Sequence, residues 1–252
     1  METSLTAALI IIGDEVLSGR TRDSHLQMIA EFLAPYGIDL VEARIVPDQP
    51  TTIIEAVNTL RRTCTYVFTT GGIGPTHDDK TADAIAAAFD RPISEREDAL
   101  DCLRQHYLPR GLELNDARRR MARIPEGASL IANPVSGAPG FQTENVFTLA
   151  GVPSIARAML DDIGHRLKSG EVVQSVSVRL EGAKEGALAA WLEEVAAGVP
   201  ETSLGCYPWF DAQGGGTVLV ARGRNLSELE SIKTLFARKA DAHAEEMRNA
   251  DV

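Results

Sequence analysis

Residues 66–89 read YVFTTGGIGPTHDDKTADAIAAAF. YVFTT is a short apolar run rich in aromatic and β-branched residues, the composition of a buried strand. After Lys80, the residues Ala82, Ile85, Ala86 and Phe89 recur at helical spacing. Between them lie three glycines, a proline, a histidine and two adjacent aspartates. Glycines let the backbone approach a ligand, and inward-turned N–H groups beside a helix N-terminus suit a phosphate. Asp78 and Asp79 would repel that phosphate unless a divalent cation such as Mg²⁺, which prefers oxygen ligands and retained water, sits between them. A plainer reading makes the stretch a strand-to-helix turn with Asp78 or Asp79 at the helix start. The spacing is neither GxGxxG nor GxxxxGK[ST], so neither dinucleotide fingerprint nor P-loop is assigned.

The same unit repeats on both sides. Residues 5–12 form a continuous apolar run, read as a strand covered on both faces. Leu26, Ile29, Ala30 and Leu33 follow at helical spacing, stopped by Pro35 and Gly37. IDLVEARIV is a second strand, and Pro50 opens a helix with Ile53, Val57 and Leu60 on one face. This order predicts an α/β fold with a doubly wound, mostly parallel sheet. Helical segments are expected near 95–107 and 115–123, then a Pro/Gly-rich loop at 132–141, a strand at 146–149 and a helix near 154–167.

Around Ser169-Gly170 the pattern changes. SVSVRL alternates, GALAAWLEEVAAG is helical, and TSLGCYPWF and TVLVARG are strands joined across DAQGGG. A charged helix near 227–247 closes the unit, and RNADV at the end is expected to fray. The expected division is a domain over 1–168 and a smaller α+β domain, βαββα, over 171–252.

Twenty-five Lys and Arg against 36 Asp and Glu give a net charge of −11. That balance speaks against a broad basic face for nucleic acid. Three scattered cysteines without a CxxC spacing fit a reducing compartment. No apolar run approaches the roughly 20 residues of a membrane helix, and no charged signal segment precedes the first strand. A cytoplasmic protein without a membrane partner is expected.

The stretches GDEVLSG, VPD, TTGGIGPTHDDKTADAIAAAF, RIPEGASLIANPVSGAPGF and LAGVPS occur in that order. Together they resemble the molybdopterin-binding (MoaB/MogA-like) superfamily, with the closest likeness to the N-terminal part of CinA-type proteins. The likeness spans residues 8–167. It implies a three-layer α/β/α fold binding a pterin or nucleotide phosphate at one sheet edge. The βαββα segment looks like the KH-like domain of CinA-type proteins, but it has no evident GxxG loop. No stretch of the 252 residues resembles the CinA amidohydrolase domain, so deamidation of nicotinamide mononucleotide is not expected of it.

Carried over residue by residue, the resemblance implies catalytic or metal-supporting roles for Asp48 and Asp79, with Asp78 beside Asp79 as a second metal ligand. Mg²⁺ or Co²⁺ is the expected ion. Gly71, Gly72 and Gly74 match the phosphate-cradling loop, which Pro75, Thr76 and His77 complete. Ser18 and Gly19 match the small-residue turn after the first strand. Asn133, Gly137 and Pro139 match a second ligand loop, and Gly151 and Pro153 match a GVP turn. Five positions depart from the pattern: His25 stands for an asparagine, Ser136-Gly137 for Gly-Thr, Ala150 for a proline and Ile155 for a glutamate.

Three functions compete. The first is a metal-dependent nucleotide pyrophosphatase acting on ADP-ribose- or FAD-like dinucleotides. The second is molybdopterin binding or adenylyl transfer, and the third a non-catalytic nucleotide-binding module. The partner is in each case a small nucleotide or pterin phosphate. Self-association, with a dimer favoured, is expected from the superfamily. Among Arg118, Arg119 and Arg120, adjacent helical positions point about 100° apart, so no more than one or two can face a site. The expectation there is a solvated helix face. His25 is expected at a ligand contact or on the surface, and Trp191 and Trp209 in packing.

Overall fold

The computed structural model describes residues 4–212 and 214–250. The first compact unit spans residues up to Gly170, the second begins at Glu171. The first unit runs β1 (Leu5–Ile12), α1 (Asp14–Leu17), α2 (His25–Leu33), β2 (Ile38–Val46), α3 (Pro50–Thr63), β3 (Tyr66–Thr70) and α4 (Thr81–Ala88). It continues with β4 (Ile93–Glu95), α5 (Glu97–Tyr107), α6 (Asp116–Arg119), β5 (Arg123–Pro125), β6 (Ser129–Ile131), β7 (Gly140–Thr143), β8 (Val146–Leu149) and α7 (Pro153–Leu160).

Six strands form the central sheet in the order β2-β1-β3-β8-β7-β6. The pairings β1–β2, β1–β3 and β3–β8 are parallel. β7 and β6 add an antiparallel extension. The continuous apolar run of β1 has a simple cause: alternate side chains enter two different cores. Ala8, Ile10 and Ile12 pack with Ile53, Val57 and Leu60 of α3 and with Ala84 and Ile85 of α4. Ala7, Leu9 and Ile11 pack with Met28, Ile29 and Leu33 of α2 and with Ala156, Met159 and Leu160 of α7. The sheet is therefore the middle of three layers. In the second core Phe68 and Phe147, on neighbouring strands, stack with ring centroids 5.1 Å apart.

Several expected elements differ. The segment near 115–123 is only one turn of helix and a 3₁₀ turn, after which Arg123 enters β5 and pairs with Glu95 of β4. Three successive arginines cannot cover one apolar helical stripe, so nothing extends the helix. The helix expected to reach 167 ends at Leu160. Strands β5, β6 and β7 are three or four residues long, too short for alternation to mark them. The expected loop at 132–141 gives its last two residues to β7.

The second unit contains β9 (Gln174–Glu181), α8 (Glu185–Gly198), β10 (Ser203–Asp211), β11 (Gly214–Gly223) and α9 (Leu226–Ala250). Its antiparallel sheet has the order β10-β11-β9. Trp191 packs on the core built around Leu180, Leu219 and Phe236. Trp209 is stacked under the Arg179 guanidinium, 3.4 Å from the ring centre. The expected fraying of RNADV does not hold through Ala250, which α9 includes; Asp251 and Val252 lie outside the described residues, as does Gln213 of the DAQGGG connection.

The loops that leave the parallel strands meet at one edge. Gly13 N–H donates to the Val46 carbonyl (3.1 Å) and Gly71 N–H to the Leu149 carbonyl (3.2 Å). Gly71 has φ +98°, and a Cβ there would lie 2.1 Å from the Ile12 carbonyl oxygen. Both facts demand glycine. Replacing Gly71 by Ala is expected to destabilise the protein by more than about 1 kcal/mol. A thermal melt of Gly71→Ala that overlays the wild type would show that this approach is not constrained.

Candidate functional site

A cavity of about 450 Å³ opens at this edge. Its first wall is the glycine loop, Gly71 to Pro75 with Asp78 and Asp79. Gly72 has φ +67°, and a Cβ there would fall 2.2 Å from Thr81 Oγ1, so the start of α4 sits directly against the loop. Thr81 N–H donates to the Gly72 carbonyl at 2.9 Å. The second wall carries Gly13, Glu15 and Asp48, from the ends of β1 and β2. Asn133, Ser136 and Ala138 form a third wall, and Ala150, Gly151, Val152 and Ile155 a fourth.

The sequence-derived candidates divide accordingly. Asp48, Gly71, Gly72, Gly74, Pro75, Asp78, Asp79, Asn133 and Gly151 line the cavity. Ser18, Gly19, Thr76, His77, Gly137, Pro139 and Pro153 are not among its lining residues. Ser18 ends the short α1, where its hydroxyl donates to the Glu15 carbonyl at 3.2 Å. The His77 side chain is 97% exposed. Gly137 and Pro139 face a separate surface cavity that also touches His106 and Arg166. Pro153 is the first residue of α7.

Asp79 has a local task. Its Oδ2 accepts the Thr76 backbone N–H at 2.8 Å and the Thr76 hydroxyl at 2.6 Å. It thereby ties the tip of the glycine loop. Neither aspartate caps α4, because the helix starts at Thr81 after Lys80, which provides no side-chain cap. Asn133 is buried and knits the third wall. Its amide donates to Ser136 Oγ (2.6 Å) and the Ala138 carbonyl (2.8 Å), and its oxygen accepts the Val135 and Ser136 N–H groups (both 3.1 Å).

His25 corrects both of its expected placements. It is buried, with Nδ1 2.7 Å from Asp23 Oδ1, and is not part of the cavity wall. Arg118 lies over the Tyr107 ring, 4.5 Å from its centre, and donates to the Glu113 carbonyl. Arg119 pairs with Glu95. These two leave Arg120 as the arginine of the run that turns toward the glycine loop. Gly13 and Glu15, which belong to the GDEVLSG stretch at the carboxyl end of β1 but were given no role of their own, line the cavity; what the sequence reading missed is the apolar lining of Ile12, Ile73, Met121 and Val152.

Electrostatics single out Asp48. Partial burial pushes its carboxyl above the usual range, and the nearby carboxylates of Asp14, Glu15 and Asp78 push the same way. Against this, Asp48 Oδ2 accepts the Asp14 N–H at 3.0 Å. The titratable residues lining the cavity, Glu15, Asp48, Asp78 and Asp79, are all acidic. Among the described residues no three His, Cys, Asp or Glu side chains are grouped as a metal cage. The donors are carboxylate oxygens only. They fit a hard, largely hydrated cation that takes its other ligands from water or a phosphate, and do not fit a soft ion.

Two family models match the chain. The probable molybdopterin binding domain matches residues 8–169. This chain belongs to the molybdopterin-binding domain family. The middle domain of FAD synthase matches residues 173–246. The chain is 33% identical over 249 residues to a protein of Aeropyrum pernix, covering 93% of this chain and 92% of that one. To a CinA-like protein of Gemmatimonas aurantiaca it is 36% identical over 215 residues, 81% of this chain and 50% of the relative. The chain thus spans about half the length of the CinA-like relatives it matches. The crystal structure of CinA from Thermoplasma acidophilum superposes with a TM-score of 0.59 at 30% identity, over 65% of this chain and 98% of that one. The family is the CinA-related branch of molybdopterin-binding domains, and the three-layer fold agrees with that relative. No helix among the described residues is long and apolar enough to cross a membrane.

Because Asp48 is raised, its ionisation opposes folding. The metal-free protein gains from a neutral Asp48 below the ordinary aspartate pKa and loses that contribution as pH rises through the raised value. Asp48→Asn keeps an acceptor for the Asp14 N–H and removes the charge. With solvent screening, the variant should melt roughly 1–2 °C above wild type at pH 7, and the gap should close toward pH 3. Melts in chelator across that range test this; a lower melting temperature for Asp48→Asn at pH 7 would contradict it.

Proposed function

We propose that this cavity binds a nucleotide diphosphate and cleaves it with a divalent cation, as a nucleotide pyrophosphatase. The observation that carries the reading is the pairing of walls: a glycine loop with Asp78 and Asp79 lines the same cavity as the carboxylates of Glu15 and Asp48. A phosphate alone would be repelled there, whereas a phosphate with a divalent cation is accommodated. Asp48 and Asp78 would hold that cation, with Glu15 beside them. When bound, it would polarise a phosphoryl oxygen. Asp79 would act at one remove, by fastening the loop through Thr76.

The chain's own contribution follows from these positions. Glycine-loop N–H groups would orient the non-bridging oxygens and stabilise charge that builds on them. The apolar wall of Ala150, Val152 and Ile155 would take the flat ring of the base or flavin. In hydrolysis a water oxygen bonds to one phosphorus, the bridging P–O bond breaks, and two monophosphates leave. The match of residues 173–246 to a domain of FAD synthase lends support to a dinucleotide such as FAD, beside ADP-ribose.

The test is a turnover screen with ADP-ribose, FAD and NAD in Mg²⁺, Mn²⁺ or Co²⁺. Cleavage to two monophosphates is expected, and Asp48→Asn should lower kcat/KM by at least about 100-fold. Asp79→Asn, which retains an acceptor for Thr76, should lose less. Cleavage of none of the three substrates, or full activity in Asp48→Asn, would count against the reading.

A second reading is molybdopterin binding, favoured by the family description of residues 8–169. Its support would be saturable binding of molybdopterin in a titration, without cleavage of the dinucleotides. Absence of saturable binding would remove it.

A further inference from the structure

Beside the main cavity lies a slot of about 10 Å³, room for about one water-sized atom. The slot and the main cavity share Gly72, Ile73, Gly74, Asp79 and Met121 as wall. Its far side is formed by Arg120, Asp83 and Arg123. The main cavity offers an anionic ligand no basic side chain of its own, since its titratable lining is acidic. The slot is therefore where a cationic group comes up to the glycine loop.

The charges in the slot are not equivalent. Arg123 is committed to Asp83 by an ion pair, and its Nε is buried without an acceptor. Asp79 is turned to Thr76. The Arg120 side chain makes no hydrogen bond or ion pair among the described residues, although those of Arg118 and Arg119, beside it in sequence, are both engaged. An unpaired arginine, Arg120, thus borders a space the size of one oxygen, against the glycine loop.

We propose that Arg120 is a ligand-binding residue, and that the slot receives a non-bridging phosphate oxygen of the diphosphate whose remainder lies in the main cavity. A guanidinium is suited to this because it presents several donors in one plane to a phosphate. The acidic wall and Arg120 would then hold the diphosphate from opposite sides of the loop, the first through a cation and the second directly. This rests on the diphosphate reading above.

The experiment is calorimetric titration with ADP-ribose, FAD and inorganic pyrophosphate in Mg²⁺, using wild type, Arg120→Ala, Arg120→Lys and Arg119→Ala. Unliganded melts accompany each titration. Arg120→Ala should weaken binding of all three ligands by about 10- to 100-fold. Its melting temperature should stay near wild type, because Arg120 holds nothing in the unliganded chain. Arg120→Lys should recover part of the loss, and Arg119→Ala should bind within about twofold of wild type. Binding by Arg120→Ala equal to wild type would overturn the Arg120 assignment and leave the diphosphate reading in place. Failure of the wild-type protein to bind any of the three would overturn both.

Discussion

The carbonyl oxygen of Ile12 lies so close to Gly71 that no side chain fits between them. This contact joins the end of β1 to the end of β3 at the tightest backbone approach of the site edge. The Gly71 N–H reaches in the opposite direction to Leu149 at the end of β8. Three parallel strands are thereby locked with their carboxyl ends level. The loops leaving them, with Asp48 from the neighbouring β2, have no choice but to share one cavity. A ligand at that edge reads residues spread over more than a hundred positions of sequence because the backbone has already brought them together.

The parallel core could be read from sequence because its physical cause is local. Residues 5–12 are apolar without alternation, which only a strand buried on both faces requires, and the two cores confirm that each parity has its own partner helices. The antiparallel extension could not be read in the same way. Strands of three or four residues, such as Ser129–Ile131, carry no period, and their pairing depends on a turn rather than a pattern. The arginine run was ambiguous for a related reason: an uninterrupted series of like residues does not say which face is inward.

In the site, glycines and aspartates were legible as kinds of residue, but their division of labour was not. TTGGIGPTHDD shows two adjacent carboxylates; the fold gives Asp79 both the N–H and the hydroxyl of Thr76, while Asp78, which also draws on the Thr76 hydroxyl, adds its charge to that around Asp48. Asn133 matched a ligand loop, yet its side-chain hydrogen bonds go to its own loop. Apolar lining such as Val152 and Met121 carried no chemical signature and emerged from packing alone.

The four side-chain hydrogen bonds of Asn133 also bear on where the entropy of association would be lost. Its wall is held in one arrangement before any ligand arrives, so little conformational freedom remains there to surrender. The opposite wall is different: beyond the Thr76–Asp79 tie, the His77 side chain stands almost wholly in solvent. A ligand that spans both walls would therefore meet one side already braced and one standing in solvent, and the loss of freedom on binding would fall mainly on the second.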